Sequence, residues 1–313
     1  MLKRILKLIL PQKLRKKLRW IWTNIHTYIK KRQTIALIPT LTQIEQRVPH
    51  YIVSLTSYGK RLSTVAPYAI VTLLNQTVKP DKVILWVGHE DKEKIPKVME
   101  KLIPKGLEIR FCKDIKSYTK LIPAIRVFPN DYIITADDDV YYPQNWFEQL
   151  ITEHKKNPKK IICHRVHGIK VDENHDPLPY KKWYHRINLG IYPQYPLDSI
   201  FPTGVGGILY PPKCFHDDVT NEEFFLKLAP FADDIWFWAM AIINKKYFGG
   251  ESPYVIIENG YARGKPIDPN YGKGDNVLVA YNVRQGGNDK QLNKIIEKYP
   301  QIKETLRRIN PVY

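Results

Sequence analysis

Two acidic runs have the residue types and setting to do chemistry. One is Ala136-Asp137-Asp138-Asp139, directly after the apolar Tyr132-Ile133-Ile134, and the other is Ala232-Asp233-Asp234, leading into an apolar stretch. Adjacent like charges repel, so three carboxylates at the end of an apolar segment call for something positive to hold. A hard divalent cation such as Mg²⁺ or Mn²⁺ takes carboxylate and phosphate oxygens and keeps some of its waters. Alternate residues of an extended segment share a face, which groups Asp137 with Asp139 and turns Asp138 elsewhere. The run also reads as an acidic loop capping a helix that begins near Pro143–Trp146, and the residues alone leave both readings open. Asp233 and Asp234 could supply a general base for a hydroxyl proton. They read equally as two first-turn acids favoured by a helix macrodipole.

The elements that must position these groups follow from pattern. "HYIVSLTS" (50–57), "KVILWVG" (82–88), "LEIRFC" (107–112) and "DYIITA" (131–136) are apolar strand candidates. Helical stretches at about 63–75, up to Lys105 and near 118–127 separate them. Strands alternating with helices predict a parallel sheet covered on both faces, with ligands at the carboxyl ends of the strands. The first acidic run sits at such an end. Beyond residue 160 the pattern is weaker: one or two strands within 159–171, a Pro/Tyr-rich stretch to about 202, a helix around 232–244 and a strand "YVIIEN" (254–259).

The chain of 313 residues is 43% hydrophobic, enough for one large domain, and carries a net charge of +18. Residues 1–33 hold eleven Lys or Arg and no Asp or Glu, so most of the excess lies in an N-terminal arm. After Pro11, Leu14, Leu18, Ile21, Trp22, Ile25, Tyr28 and Ile29 recur at helical spacing, with Trp20 beside them. A basic amphipathic helix of this kind suits an anionic leaflet; a helix packed on its own domain is the alternative. The expected division is a membrane-associating arm over 1–45 and one catalytic domain over 46–313. Cys112, Cys163 and Cys214 are too few and too scattered for a disulfide framework and read as reduced thiols. No apolar run reaches the roughly 18–20 residues that span a bilayer, and the start, interrupted by Lys7, is a poor signal peptide.

Several segments, in order, resemble the GT-A glycosyltransferases, and especially the mostly inverting family of bacterial polysaccharide glycosyltransferases. They are "VSLTSYGKR", "LLNQTVKPDKVILWV", "DIKSYTKLIPAI", "NDYIITADDDVYYPQNW", "GVGGILYPP" and "FADDIWF", spanning about 48–290. The resemblance implies a single Rossmann-like α/β domain of the nucleotide-diphospho-sugar transferase type, with a mostly parallel central sheet. It implies that Thr56, Ser57, Tyr58 and Arg61 line the base and ribose pocket, that Asp114 holds the base and that Lys120 faces the diphosphate. Asp137 and Asp138 would meet the nucleotide sugar, and Asp139, with Asp137, the metal. Gly206 and Gly207 would let backbone approach the sugar, although a plain turn fits glycines as well. Asp234 would be the base, with Asp233 in reserve. The implied reaction moves a sugar, UDP-linked by expectation, to a membrane-linked surface glycan such as lipopolysaccharide. It needs Mn²⁺ or Mg²⁺ and takes place at the inner face of the cell membrane.

Other classes fit less well. Cys163, His164, His167, His175 and His185 form no complete zinc pattern. A nucleic-acid binder would need its charge in the cleft, where the acids lie, so no nucleic-acid partner is expected. A phosphodiesterase lacks an evident second metal cluster, and an inactive scaffold sits poorly with two intact acidic motifs. "NVRQGGNDKQL" (282–292) offers Arg284, Asn288 and Asp289 as closing residues, or simply a turn and a capped helix.

Overall fold

The computed structural model describes residues 11–38, 47–187, 197–257, 264–269 and 280–311. The first ten residues of the arm, its end at 39–45 and the tail of the last expected strand (258–259) lie outside these.

Seven strands form the central sheet: β1 (Tyr51–Thr56), β2 (Lys82–Gly88), β3 (Leu107–Cys112), β4 (Tyr132–Thr135), β6 (Ile161–Cys163), β10 (Ile208–Tyr210) and β11 (Tyr254–Ile256). Their order is β11-β6-β10-β4-β1-β2-β3, and β10 alone runs against its neighbours. From the central β1 the chain steps outward to β2 and β3, then returns to the other side as β4. The crevice at such a reversal opens beyond the carboxyl ends of β1 and β4, where Ser54 pairs with Thr135 as the last register pair.

Strands covered on both faces must be apolar nearly throughout, and β1, β2 and β4 are. Ile52, Ile84, Trp86 and Ile133 face a core that also holds helices Glu222–Leu228, Asp233–Ile242 and Gly287–Lys298. The alternate residues Val53, Leu55, Val83, Leu85 and Ile134 face helices Ala66–Leu74 and Trp146–Lys156. Two small sheets flank the main one. β5 (Val140–Tyr141) pairs with β12 (Lys265–Pro266), while β7 (Val166–Gly168) lies between β8 (Tyr184–His185) and β9 (Ile200–Pro202). Cys112, Cys163 and Cys214 are free thiols.

The arm forms helix α1, Gln12–Ala36. Its end packs on the domain: Thr34 is buried, Lys30 Nζ lies 3.9 Å from the Tyr141 ring centroid, and Asn75 Nδ2 donates to Leu37 O at 2.7 Å. The rest of its apolar stripe is uncovered, with Trp20 60% and Trp22 65% exposed. No helix among the described residues is long and apolar enough to cross a membrane.

Candidate active site

The two acidic runs meet. β4 delivers Asp137 to the crevice, and the turn Lys116–Lys120 after β3 delivers Lys120, whose Nζ lies 3.8 Å from Asp137 Oδ1 and 3.2 Å from Asp233 Oδ2. Lys120 is placed by β1 and β2 together: Ser54 Oγ donates to Lys120 O at 2.7 Å, and Trp86 Nε1 donates to Ser54 Oγ at 2.9 Å. Asp234, in the first turn of helix Asp233–Ile242, accepts the Gly204 N–H at 3.0 Å. That contact depends on the reversed strand β10, whose leading loop returns to the carboxyl edge of the sheet.

The electrostatics follow from burial and crowding. Burial, then the neighbouring Asp233 charge, pushes the Asp234 carboxyl up to about 7, against the pull of Lys120 and the Gly204 N–H. Burial also raises Asp137, which Lys120 opposes and Asp139 and Asp138 reinforce. Burial would lower Lys120, but Asp233, Asp137 and Asp234 outweigh it and hold the ammonium above its ordinary value. A carboxyl titrating near neutral pH beside a fixed cation has the properties of a general base.

Arg61 binds the other end of the first run. Its Nε donates to Asp138 Oδ2 at 2.8 Å, its Nη2 to Asp138 Oδ1, and Nη2 also lies 3.0 Å from Asp139 Oδ2. Ser57 Oγ adds a 2.7 Å bond to the buried Asp138. Asp138 and Asp139 thus share one guanidinium while Asp137 meets Lys120, because Asp138 and Asp139 lie in a turn where the alternation expected of an extended segment does not apply, and Asp138 anchors the loop after β1 to the acidic run. The Asp139 side chain stays 38% exposed, and its carbonyl accepts the Ile267 N–H at 2.8 Å, which ties it to the β5–β12 ribbon.

The remaining expected residues divide. Thr56 Oγ1 donates to Trp86 O at 3.0 Å, and Tyr58 is 61% exposed at the crevice rim. Asp114 accepts the Lys116 N–H at 2.7 Å and so closes the turn that carries Lys120. Gly206 and Gly207 do not reach the acidic cluster. Both have positive φ, Trp146 Nε1 donates to Gly206 O, and a Cβ on Gly207 would collide with the Trp146 ring. The glycine at the chemistry is Gly204, where a Cβ would lie 2.9 Å from Lys120 Nζ and 3.2 Å from Asp234 Oδ1. Sequence reasoning also missed Asp91, buried after β2, which accepts the Gly59 N–H at 2.7 Å. Of the histidines, His167 is held down near 3 by burial and then by Arg165 and His185. No three His, Cys, Asp or Glu converge as a metal cage among the described residues. A cavity of about 720 Å³ lined by Phe128, Tyr210, Phe215 and Tyr247 lies at the opposite edge of the sheet, away from this cluster.

Residues 56–209 match the sequence model of Glycosyl transferase family 2. No curated protein is similar enough in sequence to count as a relative. Among solved structures the similarities are at low identity and low TM-score. 4-Diphosphocytidyl-2C-methyl-D-erythritol synthase from Anaerococcus prevotii DSM 20548 is 12% identical with a TM-score of 0.44, over 75% of this chain and 96% of that one. S. aureus TarS residues 1–349, in complex with UDP, is 10% identical with a TM-score of 0.41, over 67% of this chain and 58% of that one. CMP:2-keto-3-deoxy-manno-octonic acid synthetase, complexed with CTP, is 11% identical with a TM-score of 0.39, over 70% and 93%.

Proposed function

We propose that this chain, a glycosyltransferase whose residues 56–209 match the family 2 model, transfers a sugar from a UDP-sugar to a hydroxyl of a membrane-linked surface glycan, with inversion. The observation that carries this reading is Asp234: a partly buried carboxyl that accepts the Gly204 N–H, with its affinity for protons raised to about 7, in the crevice with Lys120 and Asp137. In its deprotonated form it can take the proton of an acceptor hydroxyl on the face opposite the leaving diphosphate. Asp233, paired with Lys120, holds the ammonium in place. Thr56, Ser57, Tyr58, Arg61 and Asp114 make the donor side, with Lys120 toward the diphosphate and Asp137 and Asp138 on the side of the nucleotide sugar.

The donor set suits a divalent cation. Four carboxylates meet Lys120 and Arg61 in the ion pairs among the described residues, and the partly exposed Asp139 has oxygen to offer. One or two carboxylates plus substrate phosphates are an ordinary Mg²⁺ or Mn²⁺ environment, which does not require a cage of three protein ligands. Asp139 and Asp137 would hold the ion, and it would neutralise charge on the leaving diphosphate.

The arm supports a peripheral location on the cytoplasmic face of the cell membrane. Its exposed Trp20, Trp22 and Ile25 run along a helix rich in Lys and Arg, which fits an anionic leaflet where the acceptor is anchored. On this reading 1–45 is the membrane-associating arm and 46–313 the catalytic domain, and no nucleic acid is involved.

Calorimetric titration of UDP with and without Mn²⁺, on wild type and Asp139→Ala, tests the donor site. Mn²⁺-dependent binding lost in the variant is expected. Equal binding by both proteins would remove the metal from this position, and failure of UDP, GDP, CMP and dTDP alike would refute the donor site. Deleting residues 1–33 should release the protein from anionic vesicles and spare turnover of a soluble acceptor.

A further inference from the structure

The C-terminal segment 280–291 plays no part in the reaction as described, yet its side chains converge on the lead-in to the catalytic helix. Helix Asp233–Ile242 starts without a side-chain cap, since Ala232 stands at the N-cap position. An uncapped start leaves the entering chain poorly fixed. Here the fixing comes from far along the sequence. The Phe231 N–H donates to Gln291 Oε1 at 2.9 Å, and Asn282 Nδ2 donates to Phe231 O at 2.5 Å. Gln291, buried, donates from Nε2 to Asn282 Oδ1 at 3.2 Å and to Gly287 O at 2.9 Å, so the two amides lock one another.

Two further contacts extend this arrangement. The Phe231 ring meets Tyr281 edge-on at 5.3 Å, and Lys116 Nζ stands 4.0 Å from the Phe231 centroid. Lys116, with a left-handed φ of 62°, belongs to the turn that carries Lys120. On the other side Asp289 Oδ1 accepts the Tyr180 N–H at 2.6 Å. Burial, and then the charge of Asp234, raises the Tyr180 phenol above its ordinary value.

We propose that Gln291 and Asn282 are positioning residues, a clasp that gripping both backbone groups of Phe231 sets Asp233 and Asp234 against Lys120 and Gly204. The inference rests on the assignment of Asp234 as base. If the clasp opens, the helix start drifts, the 3.0 Å Asp234–Gly204 and 3.2 Å Asp233–Lys120 contacts lengthen, and a displacement of 1 Å lowers turnover by about 100-fold.

The test compares Gln291→Met and Gln291→Glu in the full chain. Met fills the same space without a hydrogen bond, whereas Glu keeps an oxygen for the Phe231 N–H. Deuterium uptake by peptides spanning 229–236 is read first, because it needs no substrate. The expected order is fastest exchange in Met, intermediate in Glu and slowest in wild type, with β1 and β4 unchanged. UDP release from UDP-glucose, UDP-galactose and UDP-N-acetylglucosamine is read next. A kcat at least tenfold lower for Met than for wild type, restored in part by Glu, with KM within threefold, supports the clasp. If Met matches or exceeds Glu in both readouts, the residue only packs and the proposal is overturned. Should Met fail to fold, Asn282→Ala, which removes the donor to Phe231 O, takes its place under the same criteria. A wild type that turns over no donor counts against glycosyl transfer, while the exchange order still decides the clasp.

Discussion

Lys120→Met removes the ammonium and leaves the crevice packed. At an effective dielectric constant of about 20, unit charges at the observed 3.2 and 3.8 Å attract by about 5 and about 4 kcal/mol. Losing a buried ammonium also removes its desolvation cost of several kcal/mol, so the net loss expected for a broken buried pair is about 3–5 kcal/mol. The loss must depend on pH. Asp137 and Asp234 are both raised in the folded state. Such a group stabilises the fold fully below its unfolded value of about 4 and loses that contribution as pH climbs through its folded value. Lys120 pulls both carboxyls down, so its removal lifts them further and extends the loss to higher pH. Urea unfolding of wild type and variant at pH 5 and pH 8 should therefore show a deficit that is smaller at pH 5, where the Asp233 pair still contributes, and reaches about 3–5 kcal/mol at pH 8. An equal deficit at both pH values would refute the electrostatic account of the cluster.

Gly204→Ala places a methyl against Lys120 and Asp234 at a position of ordinary φ, so turnover should fall at least tenfold while the melting temperature moves by only a few degrees. Arg61→Lys cannot reproduce the fork on Asp138 while reaching Asp139, and Mn²⁺-dependent UDP affinity should drop about tenfold by calorimetry. Replacing Lys13, Lys16 and Lys17 together by Ala removes about 3 kcal/mol of leaflet attraction, so partition onto anionic vesicles should weaken by about two orders of magnitude. Unchanged sedimentation with vesicles would place the arm on another partner. The protonated Asp234 cannot act as a base, so turnover should rise as pH passes about 7; an Asp234→Asn protein retaining wild-type turnover would remove it from the chemistry.

The first half of the sheet was readable because its strands are long, apolar on both faces and separated by helices. The segment expected over 82–88 became Lys82–Gly88 without adjustment. The second half was read more coarsely, since β6, β10 and β11 have three residues each, too few for a period to emerge: strands were expected within 159–171 and over 254–259, where β6 and β11 lie, but neither their order nor their direction was legible. Nothing in "ILY" says that β10 runs backwards, yet that reversal brings Gly204 to Asp234. The glycines show the same limit: Gly206 and Gly207 are prominent in sequence, but a tryptophan sixty residues away claims them. Carboxylate runs advertise themselves; a side-chain amide that grips a distant backbone, such as Gln291 on Phe231, leaves no pattern to read.

The docked end of α1 fixes a height. Lys30 sits on Tyr141, and Tyr141 follows Asp139 by two residues in the ribbon that also holds the Asp139 carbonyl. A helix of 25 residues is roughly 37 Å long and about 10–12 Å across with its side chains. If it lies flat in the headgroups, its own thickness becomes the spacer between leaflet and crevice. The enzyme would then reach only hydroxyls held close above the surface, and growth of the glycan would carry its tip out of range. Chain length could thus be limited by a tether, with no pocket that measures the product.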